Sequence, residues 1–148
     1  MAGDETSESV DLGLTHVALP VTDIDANIEF YRRYADMEVV HERRDPVSGD
    51  RVVWVSDGTR PFVVVLIQQV GVSHALSGSA HLGVGCTSRA DVDRRCDEAR
   101  KEGRSVLGPS DSGYPVGYWA IITGPDGHNL EVAHGQEVGL TVARAGRP

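Results

Sequence analysis

The stretch THVALPVTDIDANIEFY, residues 15–31, shows the pattern of a strand that runs directly into a helix. Its first part alternates β-branched and apolar residues and ends near Pro20, which is typical of a strand. Thr22 or Asp23 can then cap a helix by accepting a backbone N–H bond. The apolar side chains that follow recur at helical spacing, which predicts an amphipathic helix over residues 23–34.

The stretch AHLGVGCTSRADVDRRCDEARKEG, residues 80–103, repeats the same order further along the chain. Its apolar start predicts a strand, and Thr87 or Ser88 can cap the helix that follows. This helix is expected to end at Gly103, a residue type favoured just after a helix. The repeat of one strand–helix unit indicates that the chain contains two similar halves.

Each half continues with three further strand patterns, so we predict an α+β fold built from two β-α-β-β-β modules. The modules are expected to form a curved mixed β-sheet around a central cavity. In the second module, a short strand is expected over residues 105–107, followed by a polar loop over 109–115. The predicted parts of the chain are a flexible N-terminal tail (1–12), one domain (13–137, comprising module 1 at about 13–69, a linker at 70–79 and module 2 at about 80–137) and a C-terminal tail (138–148).

Composition limits the possible functions. The chain has 148 residues, with 14 basic and 22 acidic side chains and a formal net charge of -8. An acidic surface repels phosphate backbones and anionic membranes, so we expect no nucleic-acid or membrane partner. No apolar run is long enough to span a bilayer, and the sequence does not begin with a secretory signal pattern. We therefore expect a cytoplasmic protein.

Histidine occurs at matching places in the two halves. His16 and His81 each lie in the first strand of a half, 65 residues apart, and Thr22 and Thr87 have the same separation. Glu131 lies in the last strand between apolar neighbours, where a buried carboxylate needs a partner or a cation. A single strand histidine is more often an ordinary hydrogen-bonded residue, and Glu131 alone could face solvent. Together, two imidazoles and one carboxylate make a three-ligand set for a divalent ion.

Other polar and aromatic residues carry weaker predictions. Trp54, Tyr118 and Trp119 could line a substrate cavity, although simple packing in the core or at its rim is the alternative. His128 lies beside a turn and is expected to be exposed. The arginine pairs 43–44 and 94–95 are expected on solvated faces.

The two opening stretches, together with the closing segment GPDGHNLEVAH at residues 124–134, resemble the vicinal oxygen chelate superfamily. This superfamily includes glyoxalase I, bleomycin-resistance proteins, fosfomycin-resistance thiol transferases, methylmalonyl-CoA epimerase and extradiol dioxygenases. The resemblance implies that His16, His81 and Glu131 are metal ligands, with Glu131 also catalytic. It places a fourth ligand between Val63 and Leu66, where every residue is apolar.

The missing fourth ligand separates the possible reactions. The resemblance to glyoxalase I and to the epimerase implies a polar ligand at that corner, which this chain lacks. Extradiol dioxygenases and fosfomycin transferases use a three-ligand set, but Ile121 replaces the tyrosine expected in the former and Ala18 the threonine expected in the latter. The chemistry therefore stays open among dioxygenase, lyase, isomerase and thiol-transferase reactions.

We expect a divalent-metal-dependent enzyme that acts on a small oxygen-bearing substrate chelated at the His-His-Glu site. The metal could be Fe, Mn, Ni or Zn. The alternative is a metal-free protein that binds and sequesters a small molecule, as bleomycin-resistance proteins do. The resemblance also implies a homodimer.

Overall fold

The computed structural model describes residues 10–146, so most of the predicted N-terminal tail, residues 1–9, lies outside the described residues. Within that range the chain forms eight strands and three helices. Their order is β1 (His16–Val21), α1 (Ile24–Ala35), β2 (Glu38–Arg44), β3 (Arg51–Ser56), β4 (Val63–Gln68), β5 (Leu82–Gly85), α2 (Arg89–Lys101), β6 (Val106–Asp111), β7 (Tyr118–Thr123), β8 (Asn129–His134) and α3 (Val138–Arg144).

The strands form two four-stranded mixed sheets, one from each half of the chain. The strand order is β1-β4-β3-β2 in module 1 and β5-β8-β7-β6 in module 2. In both sheets the first and last strands of the module pair in parallel, and the remaining pairs are antiparallel. The predicted α+β fold with two β-α-β-β-β modules is confirmed. The described strands do not close into one barrel, because each sheet has its own edges.

The helices begin where the capping residues predict. The Asp23 carboxylate accepts a bond from the backbone N–H of Ala26 at 3.0 Å, and the Ser88 hydroxyl accepts one from Asp91 at 3.0 Å. Each bond satisfies an N–H group that has no partner within the helix. Of the two candidates in the first module, Asp23 is the cap, and Thr22 makes a different contact described below.

Helices α1 and α2 each pack on one face of the sheet of their own module, and the two modules share a single hydrophobic core. Side chains alternate between the two faces of a strand. In β4, for example, Val64 and Leu66 are fully buried in this core, whereas Val63, Val65 and Ile67 point to the opposite face. One face of each sheet is thus committed to the core, and the other is left available for a site.

Polar groups hold the two modules together at the core edge. Arg95 on α2 is buried and donates to the Tyr34 carbonyl at 2.6 Å and to the Asp36 carboxylate at 2.7 Å. Asp91, one turn earlier on α2, also contacts this guanidinium at 3.0 Å. The prediction that the 94–95 arginine pair is solvated is wrong for Arg95, because its charge is fully paired across the module junction.

A second junction forms around the turn between β7 and β8. The Asp126 carboxylate accepts bonds from the Thr22 backbone N–H (3.1 Å), the Thr22 hydroxyl (2.6 Å) and the Asn27 amide (2.7 Å). His128 is only 1% exposed, contrary to the prediction of an exposed residue. Its Nδ1 accepts the Leu76 N–H at 3.0 Å and its Nε2 donates to the Pro20 carbonyl at 2.7 Å, so it joins the linker to β1.

Two boundaries differ from the predictions. Strand β6 extends through Gly108 and Pro109 to Asp111, well beyond the predicted strand at 105–107, because an irregularity between Leu107 and Ser110 lets the pairing with β7 resume. Part of the predicted C-terminal tail forms the short helix α3, which buries none of its side chains. Across residues 10–146, no helix is long and apolar enough to cross a membrane.

Candidate functional site

The free face of the module 1 sheet forms a cleft of about 550 Å³. Its volume lies within the range of small-molecule sites. Apolar side chains from three strands form the floor, and polar and charged side chains surround it. The lining residues are Asp11, Thr15, His16, Ala18, Val40, Arg43, Trp54, Ser56, Arg60, Pro61, Phe62, Val63, Val65 and Ile67.

His16 lies at one end of this cleft, at the start of β1. Its Nδ1 is 2.9 Å from the Thr15 hydroxyl oxygen, and its Nε2 has no hydrogen-bond partner within residues 10–146. One nitrogen is thus held by a neighbour while the other is free. Such an arrangement suits a metal ligand, since a hydrogen bond at one ring nitrogen orients the other.

Trp54 lies on the same free face and is 38% exposed. It pairs in register with His41 on one side and Val65 on the other, and the His41 and Trp54 ring centroids are 5.0 Å apart. Trp54 thus lines the module 1 cleft, and its role in binding a substrate stays a prediction. Because the Trp54 ring packs against the His41 ring and is partly exposed, it presents a flat apolar surface that a ligand could contact.

His81 and Glu131 meet on the free face of the module 2 sheet. The His81 Nε2 is 3.1 Å from the Glu131 carboxylate, and the His81 Nδ1 is 2.8 Å from the Ser79 carbonyl oxygen. A carbonyl oxygen can only accept, so Nδ1 carries a proton. In a neutral imidazole, Nε2 would then be an acceptor facing another acceptor. A proton or a cation between Nε2 and the carboxylate removes this conflict.

Glu131 is enclosed on one side and open on another. The side-chain amide of Gln136 donates to its second carboxylate oxygen, and the residue is only 8% exposed. Its neighbour across the parallel pair β5–β8 is Gly83, and a Cβ added at Gly83 would meet nothing within 4 Å. The Glu131 carboxylate is therefore fixed by a hydrogen bond on one side and lies next to an open space above Gly83 on the other.

The three predicted ligands do not meet within one chain. His81 and Glu131 are in contact on the second sheet, whereas His16 lies on the first. Among residues 10–146, no three His, Cys, Asp or Glu side chains lie close enough to hold one metal ion. Among the described residues, His16 thus lines the module 1 cleft, whereas His81 and Glu131 lie together on the module 2 sheet.

The two remaining aromatic candidates lie on opposite faces of β7. Trp119 pairs in register with Ala133 on the free face, and its indole N–H donates to the Ser112 hydroxyl at 2.8 Å. Tyr118 packs on the helix side, where its hydroxyl bonds to Asp93 and the Arg89 guanidinium lies 4.8 Å from its ring. The hydrogen bond to Asp93 raises the pKa of Tyr118. Tyr118 therefore faces away from Glu131, since adjacent strand residues point to opposite faces.

Strand register identifies the residue that replaces a fourth ligand. In module 1, His16 pairs with Val63, so Val65 lies two residues beyond that partner on the same face. In module 2, Glu131 pairs with Gly83, which lies two residues beyond His81. Val65 and Glu131 therefore occupy equivalent positions. The register thus places the apolar residue Val65 at the corner of module 1 that corresponds to Glu131 in module 2.

Sequence reasoning did not find the residues that support the candidate ligands. Gln136 follows β8 in a loop, and Ser79 acts only through its backbone carbonyl. Gln136 follows Glu131 by five residues, and this separation is not a recognised signal for contact between a strand residue and a loop residue. A backbone acceptor carries no side-chain signal at all.

Comparison with known proteins agrees with the fold. Residues 13–132 match the model of the Glyoxalase/Bleomycin resistance protein/Dioxygenase superfamily. The chain belongs to this superfamily. Membership accounts for the repeated modules and shows that the resemblance noted in the sequence is real.

Three known proteins show how similar this chain is to its relatives in sequence and in structure. An uncharacterized Pseudomonas aeruginosa protein is 36% identical over 129 residues, which cover 85% of this chain and 91% of that one. Lactoylglutathione lyase of Escherichia coli O157:H7 is 26% identical over 133 residues, covering 85% and 95%. The structure of Leishmania major glyoxalase I superposes with a TM-score of 0.67 at 22% identity, covering 91% and 94%. The protein is thus related to glyoxalase enzymes.

Proposed function

We propose that the protein is a divalent-metal-dependent enzyme that acts on a small oxygen-bearing substrate. His16, His81 and Glu131 are the protein ligands, and the site is completed between two copies of the chain. The observation that carries this proposal is the contact between the His81 Nε2 and the Glu131 carboxylate at 3.1 Å, since both atoms are acceptors unless a proton or cation joins them.

A second copy would supply the missing imidazole. His16 and the His81–Glu131 pair lie on the free faces of different sheets, so one chain alone offers two ligands at one place and one at another. In a two-fold symmetric dimer, module 1 of each copy can face module 2 of the other. That arrangement would generate two identical three-ligand sites. The expected homodimer would therefore carry two metal sites.

The residues present fit a divalent ion. Two imidazoles and a carboxylate suit Fe, Mn, Ni or Zn and leave positions for substrate oxygens. A bound ion would supply Lewis-acid chemistry by stabilising negative charge that develops on a substrate oxygen. The Ser79 carbonyl orients the His81 ring, and Gln136 holds the Glu131 carboxylate in place, as supporting groups around metal ligands do.

The residues that line the module 1 cleft reduce the number of reactions that the proposed site could catalyse. At the corner equivalent to Glu131, Val65 can neither bind a metal nor move a proton. A reaction that needs carboxylates on both sides of the substrate is therefore disfavoured, including glyoxalase I chemistry of the kind implied by the family resemblance. Dioxygenase, lyase, isomerase and thiol-transferase reactions that use one carboxylate remain.

The first test is the metal content of anaerobically purified protein. Wild-type protein should hold close to one divalent ion per chain, and His16→Ala and His81→Ala should each lose nearly all of it. Removal of a supporting group alone typically costs 10–100-fold in affinity, so loss of a ligand should cost at least about as much. His74→Ala is the matched control, because His74 is exposed in the linker and outside both sheets.

If neither wild-type protein nor any variant binds Fe, Mn, Ni or Zn, the metal-enzyme proposal fails. The second candidate, a metal-free protein that sequesters a small molecule, would then be the better account. It is favoured by one observation, namely that the module 1 cleft is largely apolar and already formed in a single chain.

A further inference from the structure

Two arginines line the module 1 cleft without a salt bridge to any carboxylate of residues 10–146, although the charge of one of them, Arg43, helps to lower the pKa of Asp45. Arg43 lies in β2 and Arg60 in the loop between β3 and β4. Within residues 10–146, neither side chain forms a salt bridge or donates a hydrogen bond. Asp11 also lines the cleft, but its carboxylate lies beyond salt-bridge distance of both guanidinium groups. Two positive charges are therefore available at a single apolar cleft.

This lack of partners distinguishes the two arginines from most others in the described part of the chain. Eight of the twelve arginines there form salt bridges: Arg32, Arg33, Arg51, Arg89, Arg94, Arg95, Arg100 and Arg104. Arg44, the neighbour of Arg43, donates to the Gly49 carbonyl. In a chain with net charge -8, acidic partners are plentiful, so two arginines at one cleft that form no salt bridge within the described residues point to a ligand of opposite charge.

Sheet register places the two arginines at opposite ends of the cleft. Arg43 pairs with Val52, and the same row of the sheet continues through Ile67 to Pro20. Pro20 is four residues along β1 from His16, which corresponds to roughly 13 Å. Arg60 precedes β4 by three residues and so lies at the end of the sheet that carries His16. A ligand that contacts both ends must be extended.

The floor between the arginines is apolar. Trp54, Val65 and Ile67 face the cleft from two adjacent strands, and Ala18 borders them on β1. Such a floor binds hydrocarbon or ring surface, and guanidinium groups bind carboxylates and phosphates in paired hydrogen bonds. The apolar floor and the two arginines together indicate a ligand that has both an apolar part and an anionic group.

We propose that the substrate is an extended organic anion, with a carboxylate or phosphate group on an apolar body that lies over Trp54. Arg43 and Arg60 supply the charge that selects it. The inference rests on the proposed function only in taking this ligand to be the substrate whose oxygens reach His16. The cleft and its arginines belong to one chain, so anion binding does not require a bound metal.

The test compares two probes of the same shape, the anion 4-phenylbutyrate and its neutral amide. Binding to full-length, chelator-treated protein is measured from the shift of the Trp54 indole N–H resonance. Wild-type protein should bind the anion about tenfold or more tightly than the amide, because hydrogen bonds to charged groups are the stronger ones. In the double variant Arg43→Gln/Arg60→Gln the preference should fall to about twofold or less.

The control is Arg44→Gln/Arg144→Gln, which makes the same change in net charge outside the cleft and should keep the preference. Equal affinity of wild-type protein for the two probes would overturn the inference, as would a preference that survives in Arg43→Gln/Arg60→Gln. A switch from dimer to monomer in that variant would also overturn it, since the arginines would then contact a second copy. Anion preference without metal binding would contradict only the metal proposal, whereas metal binding without anion preference would contradict only this inference.

Discussion

At the scale of single residues, the proposed chemistry depends on the difference between Glu131 and Val65. The two positions are equivalent in the strand register of the two modules, yet one carries a carboxylate and the other an isopropyl group. Both side chains face a free sheet surface, so neither is required for the core. The presence of valine in one module and glutamate in the other therefore changes which metal ligands the proposed site can offer, and it does not affect packing in the core.

Val65→Glu should add the fourth ligand that the chain lacks. A carboxylate there would face the open cleft beside His16, so folding should be little affected, and affinity for Mn or Zn should increase by about tenfold or more because it adds a charged ligand. Metal titration monitored by calorimetry would measure the change. Ile67→Glu is the matched control, since it places a carboxylate on the same face one position further from His16, where no gain is expected. Equal affinity in Val65→Glu and wild-type protein would show that the register argument is wrong.

The candidate ligands could be predicted from the sequence because the same spacing of 65 residues separates both the histidines and the threonines that precede the helices. The face of a strand on which a lone residue falls was harder to predict. Tyr118 and Trp119 are adjacent, and a one-residue uncertainty in register exchanges their faces. His128 lies in a turn motif rich in polar residues, and only the packing of the linker against β1 explains its burial.

At the scale of structural elements, the turn between β7 and β8 holds the modules together through Asp126. Its partial burial tends to raise the pKa of the carboxyl group, but hydrogen bonds from Thr22 and Asn27 outweigh that effect, and the pKa is lowered. A lowered pKa means that the ionised form is stabilised in the folded protein. The resulting stability is present above the ordinary aspartate pKa of 3.8 and is lost as the pH falls through the lowered value.

Asp126→Asn should therefore remove a pH-dependent part of the stability. Near neutral pH the variant should unfold about 1–2 kcal/mol more easily than wild-type protein, because a charged acceptor of three bonds becomes neutral. The difference should shrink as the pH falls below 3.8, where the unfolded chain takes up a proton, and should vanish below the lowered pKa, where folded wild-type Asp126 is also neutral. Urea unfolding across this pH range would measure it, with Asp97→Asn on the exposed face of α2 as the control. A constant difference at all pH values would contradict the linkage.

His128→Phe should destabilise the protein by about 2–4 kcal/mol. The variant leaves the Leu76 N–H and the Pro20 carbonyl without a partner in a partly buried place, where each unsatisfied group costs up to roughly 1–3 kcal/mol. The free energy of unfolding from denaturant titration would measure the loss. His74→Phe, in the exposed part of the same linker, should change stability by less than about 0.5 kcal/mol. A loss of similar size in both variants would mean that the His128 hydrogen bonds contribute little.

At the scale of the whole molecule, the two modules could be predicted from the sequence, but the orientation of their two sheets relative to each other could not. Strand and helix order follows from local periodicity and capping, which is why the α+β fold could be predicted. The relation between the two sheets depends on long-range packing around Arg95 and Asp126, which no short motif encodes. The separation of His16 from His81 and Glu131 could not be predicted for this reason, and in the proposed site a second copy of the chain completes the ligand set.

The most direct test of this shared site is metal binding by mixed dimers. His16→Ala and Glu131→Ala chains, carrying different affinity tags, are co-expressed, and dimers that contain one copy of each are purified. If the site is shared, one of the two sites in each mixed dimer keeps all three ligands, so these dimers should hold about half the metal of wild-type dimers. Each variant alone should hold almost none. Mixed dimers that bind no more metal than the single variants, while wild-type protein binds it fully, would contradict the account.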